Sequence, residues 1–337
     1  MKKVVLIATG GTIASAWNEK EGDVRASIPG ESLIEKISPY LTDISLEIEN
    51  FSNIGSHRMT LENVFRLAKC AEKHLMREDV CGVVITHGTD TMEESAYMAD
   101  LVASSEKPVV FTGAQYSADQ PDSDGPRNLY TAILVAASPH AAGLGVLLVF
   151  DGEIHAAKFV KKIHSSQLHA FDSPGHGKLG FIDGDEICIQ QRPAVIRKYK
   201  VDGIESRIDI IKLAIGMDGR FVQCAINSGT KAIVIEAFGR GNVPPAVFSV
   251  IKAAVKDNIL VVITTRCEQG GVRPIYGDGG GKDLERIGVV FAGDMPAIKV
   301  RILLSVILMI TQNKDEISKA IHEALDSESL MSTLHTE

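Results

Sequence analysis

Two threonines set in glycine-rich turns are the residues best suited by type to covalent chemistry. Thr12 lies in Thr9-Gly10-Gly11-Thr12-Ile13-Ala14, and Thr89 lies in Thr86-His87-Gly88-Thr89-Asp90-Thr91. A threonine hydroxyl is a poor nucleophile until a base removes its proton. A lysine serves as that base only when its surroundings disfavour the charged form. Lys161 and Lys162 follow an apolar stretch that could bury one of them, and Asp90 could orient it or hold a substrate ammonium. Competing readings are plain. Gly-Gly-Thr is also an ordinary tight turn with Thr12 as helix N-cap, and consecutive lysines are usually solvated.

Other chemistries fit less well. The first turn matches neither GxGxxG nor GxxxxGK[ST], so phosphate binding has no fingerprint. No G-x-S-x-G occurs. His155, His164, His169 and His176 cluster in sequence, but not at i, i+3 or i, i+4 ligand spacing. They read as surface or structural histidines, and no metal is expected.

The elements that must position these residues follow from pattern. Val4 to Ala8 is a short apolar run, which predicts a fully buried strand. Glycines directly after it allow a sharp turn and close approach of a ligand to the backbone. Thr12 would then stand past the carboxyl end of a first strand, where open α/β sheets bind ligands. Val83 to Ile85 predicts a second buried strand, with Thr91 and Glu94 as a capping box for the next helix. Two such turns can face each other across one crevice. Leu46 to Ile48 reads as a strand that places Asn53 to His57 at another strand-to-helix connection. Met59 to Leu75 reads as a helix capped by Thr60. Pro108 to Thr112 and Gly145 to Phe150 read as strands, Asp124-Gly125-Pro126 as a turn, and Asn128 to Ala137 as a helix. Trp17 to Ser27 is polar and without period, and reads as a mobile lid loop.

Further on, Ala232 to Ile235 and Leu260 to Ile263 read as strands. Pro244-Pro245 opens a helix between them. Ala297 to Thr311 reads as a buried helix, and the chain from Asn313 on as a helix-prone surface element. Alternation of strands and helices in both halves predicts an α/β protein of two domains, each with a mainly parallel sheet flanked by helices. The expected boundaries are 1–190, a polar linker over 191–206, and a smaller domain over 207–337.

The 337 residues suffice for two cores. A net charge of −8 disfavours nucleic acid and anionic membrane surfaces as partners. Five scattered cysteines without a CxxC predict reduced thiols. No leader-like segment is visible and Ile302 to Ile310 is too short to span a bilayer. A cytoplasmic location is expected.

Together these segments resemble the bacterial-type L-asparaginases. The family pattern TGGTIA is met by Thr9 to Ala14, and THGTDTMEE by Thr86 to Glu94 without a mismatch. GEIHAA is met by Gly152 to Ala157, and DGP-x-NLY by Asp124 to Tyr130. The resemblance implies cofactor-free hydrolysis of asparagine to aspartate and ammonia, with weaker glutaminase activity as a possible accompaniment. It implies Thr12 as nucleophile, with Thr89, Lys162 and Asp90 as supporting hydroxyl, base and carboxylate. Backbone groups around Gly11, Gly88 and Thr89 would bind substrate and the developing oxyanion. Ser56 would hold the α-carboxylate with His57 beside it, Asp90 the α-amino group, and the Ala114 carbonyl the departing amide. A homotetramer of intimate dimers is also implied, with the site at a dimer interface.

Three positions depart from the family pattern. Residues 15–30 lack the tyrosine that assists the nucleophile, leaving Trp17 and Arg25 as the local substitutes. His57 stands where glutamine is common. No acidic residue in 268–281 matches the one relatives lend from a partner subunit, so Asn242 is the candidate there. Two alternatives stand beside this reading: within the same superfamily, an asparaginase-like subunit of a tRNA-dependent amidotransferase, and, of another class, a non-catalytic amino-acid-binding protein.

Overall fold

The computed structural model describes residues 1–193 and 197–325. It divides into two compact units, Met1–Lys198 and Tyr199–Glu337. The first unit carries strands β1 (Lys2–Gly10), β2 (Ser15–Asn18), β3 (Asp23–Ala26), β4 (Ile44–Ile54), β5 (Val80–Thr86), β6 (Val109–Thr112) and β7 (Val146–Phe150). They are followed by β8 (Glu153–Ala156), β9 (Lys161–Lys162), β10 (Phe171–Asp172), β11 (Gly180–Asp183) and β12 (Glu186–Ile189). Its helices are α1 (Gly30–Ile34), α2 (Leu61–Leu75), α3 (Met92–Val102) and α4 (Gly125–Ala136).

The main sheet has the order β12-β11-β8-β7-β6-β5-β1-β4. From β4 to β7 all pairings are parallel, and β8, β11 and β12 join antiparallel. The reason lies in the residues. Val4, Val5, Leu6 and Ile7 of β1 are all fully buried, as a strand covered on both faces must be. Val4 and Leu6 join one core with Val84, Val110 and Leu147 and with residues of α1 and α4. Val5 and Ile7 point the opposite way, and α2 and α3 pack against other strands of the sheet. Each such buried side chain is worth roughly 1.5–3 kcal/mol against exposure.

Strand β1 lies between β4 and β5, so the chain leaves β1 toward one edge and later returns on its other side. That reversal is the topological switch point, the place where a crevice opens outside the carboxyl ends of the strands. Register brings those ends level: Gly10 lies beside Ile54, Ala8 beside Thr86, and Thr86 beside Thr112.

The second unit is a smaller parallel sheet, β13 (Ile208–Lys212), β14 (Ala232–Ala237), β15 (Leu260–Thr265) and β16 (Val290–Phe291), in sequential order. Helices α5 (Arg220–Asn227), α6 (Pro245–Lys256), α7 (Gly281–Arg286), α8 (Ala297–Ile307) and α9 (Lys314–Ala324) accompany it. The protein is therefore α/β with two mainly parallel sheets. Among the described residues, no helix is long and apolar enough to cross a membrane.

Several local expectations need correction. The stretch expected as a lid loop is largely a hairpin, β2 paired with β3, with Trp17 opposite Val24. Its polar residues hid the alternation because both strand faces meet water, and Gly22 at φ 69° serves its turn. Thr91 is the N-cap of α3 without a side-chain capping bond. Its hydroxyl instead donates to the Ser56 carbonyl at 3.0 Å, tying two turns together. Asp124-Gly125-Pro126 is the first turn of α4, with Pro126 at the tolerated start of the helix. Helix α8 ends at Ile307, before the expected Thr311. Thr60 caps α2 as expected, accepting from the Asn63 amide at 3.2 Å. Residues 194–196 of the expected linker, and 326–337 of the expected terminal surface element, lie outside the described residues.

Candidate active site

Four turns meet at the carboxyl edge of the sheet, after β1, β4, β5 and β6. Their approach is close enough to dictate glycine. A methyl group on Gly11, whose φ is 79°, would sit 2.4 Å from the Gly88 nitrogen. One on Gly88 would sit 2.7 Å from the Ser56 hydroxyl. Contacts that short are impossible for a side chain, so the turns carrying Thr12, Thr89 and Ser56 are stacked backbone to backbone.

A cleft of about 680 Å³ opens over this junction. Gly11, Thr12, Ser56, His57, Gly88, Thr89 and Asp90 all line it, so seven of the expected site residues come together. Lys162 and Ala114 are not in the lining. Ala114 is fully buried beside its cleft-facing neighbour Gln115. Lys162 stands behind Thr89. Its Nζ donates to Thr89 Oγ1 at 2.8 Å and to Asp90 Oδ1 at 2.8 Å. Only 13% of its side chain is exposed, against 63% for Asp90. The solvated reading of this lysine is thus wrong: β9 pairs with β10, setting Lys162 opposite Phe171, and its amide reaches Glu93 Oε1 at 3.3 Å.

The backbone offers donors as well. The Gly11 amide is engaged by the Ile54 carbonyl at 3.0 Å, and its carbonyl accepts from Ala14 and Ser15. Among the described residues, however, nothing accepts from the amides of Thr12, Gly88 and Thr89. Beneath the Gly88 turn lies His87, fully buried. Its Nδ1 donates to the Gly88 carbonyl at 2.8 Å, so Nε2 accepts from Ser95 Oγ at 3.0 Å. Burial holds this imidazole neutral, moving it from the ordinary 6.5 down to about 4.

Sequence reasoning passed over Gln115, Ser15 and Arg58, which also line the cleft. Gln115 was visible as the residue after Ala114, but nothing in a lone glutamine signals a role. Of the two hairpin candidates, Arg25 lines the cleft and Trp17 does not. The Arg25 guanidinium is held by Asp23 at 2.8 Å and Glu21 at 3.3 Å. Asn242 belongs to the second unit, where its Oδ1 accepts from the Gly281 amide at 3.3 Å.

The clustered histidines have structural partners. His155 meets Ser173 Oγ at 2.9 Å, His176 stacks on Phe159, and His164 Nδ1 accepts from the Ser166 and Gln167 amides. Among the described residues, the donors close enough to share a metal are Glu49, Cys70 and His74, outside the cleft. There the Glu49 carboxylate accepts from the Cys70 thiol at 3.1 Å and pairs with His74. Burial and that carboxylate push the thiol up to about 12.

Comparison with known proteins agrees with the geometry. Residues 3–195 match the model of the N-terminal asparaginase domain, and residues 207–321 that of the glutaminase/asparaginase C-terminal domain. An L-asparaginase of Bacillus licheniformis is 36% identical over 308 residues, 91% of this chain and 95% of that protein. A glutamyl-tRNA(Gln) amidotransferase component from Methanococcus vannielii is 32% identical over 311 residues, 88% of this chain and 72% of that protein. The crystal structure of a probable cytoplasmic L-asparaginase from Campylobacter jejuni superposes with a TM-score of 0.84 at 31% identity, covering 95% of this chain and 99% of that one. With both halves matched and a relative more than a third identical along nearly its whole length, the chain belongs to the asparaginase family.

Proposed function

We propose that this protein hydrolyses the side-chain amide of L-asparagine to L-aspartate and ammonia. The observation that carries the proposal is the largely enclosed Lys162 Nζ, 2.8 Å from both Thr89 Oγ1 and Asp90 Oδ1, behind a cleft that Thr12 also lines. A pocket that only bound an amino acid would have no use for a lysine held on a hydroxyl.

In this reading Thr12 Oγ1 attacks the amide carbon, and the proton it loses goes to the leaving nitrogen, which departs as ammonia. Water then cleaves the aspartyl ester and restores the hydroxyl. Thr89, hydrogen-bonded to Lys162, takes up and returns protons, and Asp90 keeps the lysine in place. Asp90, at the exposed end of the trio, also accepts the substrate ammonium, and Ser56 with His57 meets the α-carboxylate. The amides of Thr12, Gly88 and Thr89 face the charge that develops on the carbonyl oxygen. The Ala114 carbonyl receives the leaving group. No cofactor enters the scheme.

The same reading makes the protein cytoplasmic, in keeping with the Campylobacter jejuni protein's description, and a homotetramer, which the resemblance alone implies. The test is direct ammonia release from asparagine by purified protein. Thr12→Ala and Thr89→Val should each lower turnover by about 10²–10⁴-fold with the fold intact. Near-normal turnover in either variant removes that residue from the scheme. The amidotransferase reading is favoured by the Methanococcus vannielii relative, and a complex with tRNA in a gel shift would support it.

A further inference from the structure

Among the described residues, Gln115 is the one amide side chain in the cleft that touches the Thr89 hydroxyl, and it is anchored at both ends. Thr89 Oγ1 donates to Gln115 Oε1 at 3.3 Å. Gln115 Nε2 donates to the Gln167 carbonyl at 3.0 Å. A carbonyl only accepts, so this bond fixes which end of the amide faces the cleft: the oxygen. The anchor is itself held, because the Gln167 amide donates to His164 Nδ1 at 3.0 Å. At the backbone, the Gln115 amide donates to the Asp124 carboxylate, 3.1 and 3.0 Å from its two oxygens. Asp124 in turn accepts from Asn128 at 2.9 Å.

The result is a preorganised acceptor beside the Thr89 hydroxyl. At 3.3 Å the Thr89 contact is long for an O–H···O bond, and a carbonyl oxygen has a second lone pair. Such an oxygen suits an N–H donor and repels an anionic oxygen in the same place. Substrate and product differ in that respect: asparagine presents an NH₂ where aspartate presents a carboxylate oxygen. We infer that Gln115 is a specificity-determining residue that reads the carboxamide N–H of the substrate and disfavours the acid product. This rests on the hydrolase reading above, and adds that discrimination of amide from acid is set by one locked side chain.

The test compares kcat/KM for asparagine with the inhibition constant of aspartate. The product of the two measures discrimination. Gln115→Met keeps the bulk and removes the acceptor, and discrimination should fall about tenfold, the size of one neutral hydrogen bond. Gln115→Glu presents an anionic oxygen, which still accepts from N–H and repels aspartate more strongly, so discrimination should hold or rise. A merely structural role would move both variants the same way. Discrimination unchanged in the Met variant, or falling in both, overturns the inference. If the Met variant does not fold, the Glu variant decides alone: discrimination held or raised supports the inference and a fall overturns it. Absence of ammonia release by the wild-type protein would instead refute the parent reading.

Discussion

Lys162 is where sequence reasoning and structure differ most usefully. From residue type the pair Lys161-Lys162 is a solvated charge, yet Lys162 is nearly enclosed and donates to Thr89 and Asp90. What hides it is the short pairing of β9 with β10, which leaves no periodic signal. The account predicts that Lys162→Met lowers turnover by about 10³-fold, the usual scale of a lost proton-transfer group, with thermal stability near that of the wild type. Activity within a few-fold of normal would show that the lysine merely fills space. A second residue-scale prediction concerns Gly11. Gly11→Ala demands a left-handed backbone and a methyl 2.4 Å from the Gly88 nitrogen, so the two turns must separate. Misplacement on the ångström scale costs about 10²-fold in rate. Steady-state kinetics on the purified variant check this, and an active Gly11→Ala protein contradicts the stacked-turn geometry.

At the scale of elements, strands β1, β4 to β7, β14 and β15 were legible, whereas β8 to β13, β16 and the local ornaments were not. β1 and β5 were visible because apolar runs ending in glycine turns have few alternative structures. The hairpin β2–β3 was not visible, since both its faces are wet. The Thr91–Glu94 box failed because the Thr91 hydroxyl found a tertiary acceptor at Ser56, and tertiary bonds override local capping. Gln115 shows the same limit within the site, since its role depends on a carbonyl 52 residues away. The Gly88 turn is held from below by His87, and this gives a pH prediction. The folded imidazole sits at about 4 against an ordinary 6.5. Below pH 6.5 the unfolded chain therefore takes up a proton that the folded one refuses. Stability falls as the pH drops from 6.5 to 4 and this contribution is flat beyond. The full loss is about 3 kcal/mol from this group. Urea titrations at about pH 7 and about pH 4.5 on the wild type and His87→Gln should show a smaller loss in the variant. Equal losses would mean that His87 takes up its proton alike in both states.

For the whole molecule, the two-unit α/β plan follows from alternating strands and helices, and the switch point at β1 and β5 fixes where the chemistry can be. The fully buried run Val4, Val5, Leu6 and Ile7 makes β1 sensitive to truncation. Leu6 is fully buried in the larger core, so Leu6→Ala should cost about 2–5 kcal/mol, read as a shift in urea midpoint. A cost under about 1 kcal/mol would mean the core is looser than its burial implies.

The measurement that bears most directly on the whole account is ammonia release, with asparagine and glutamine side by side, by the wild type and Thr89→Val. The account predicts clear release from asparagine by the wild type, less from glutamine, and almost none from either by the variant. Equal release by wild type and variant, or none from asparagine by the wild type, would contradict it.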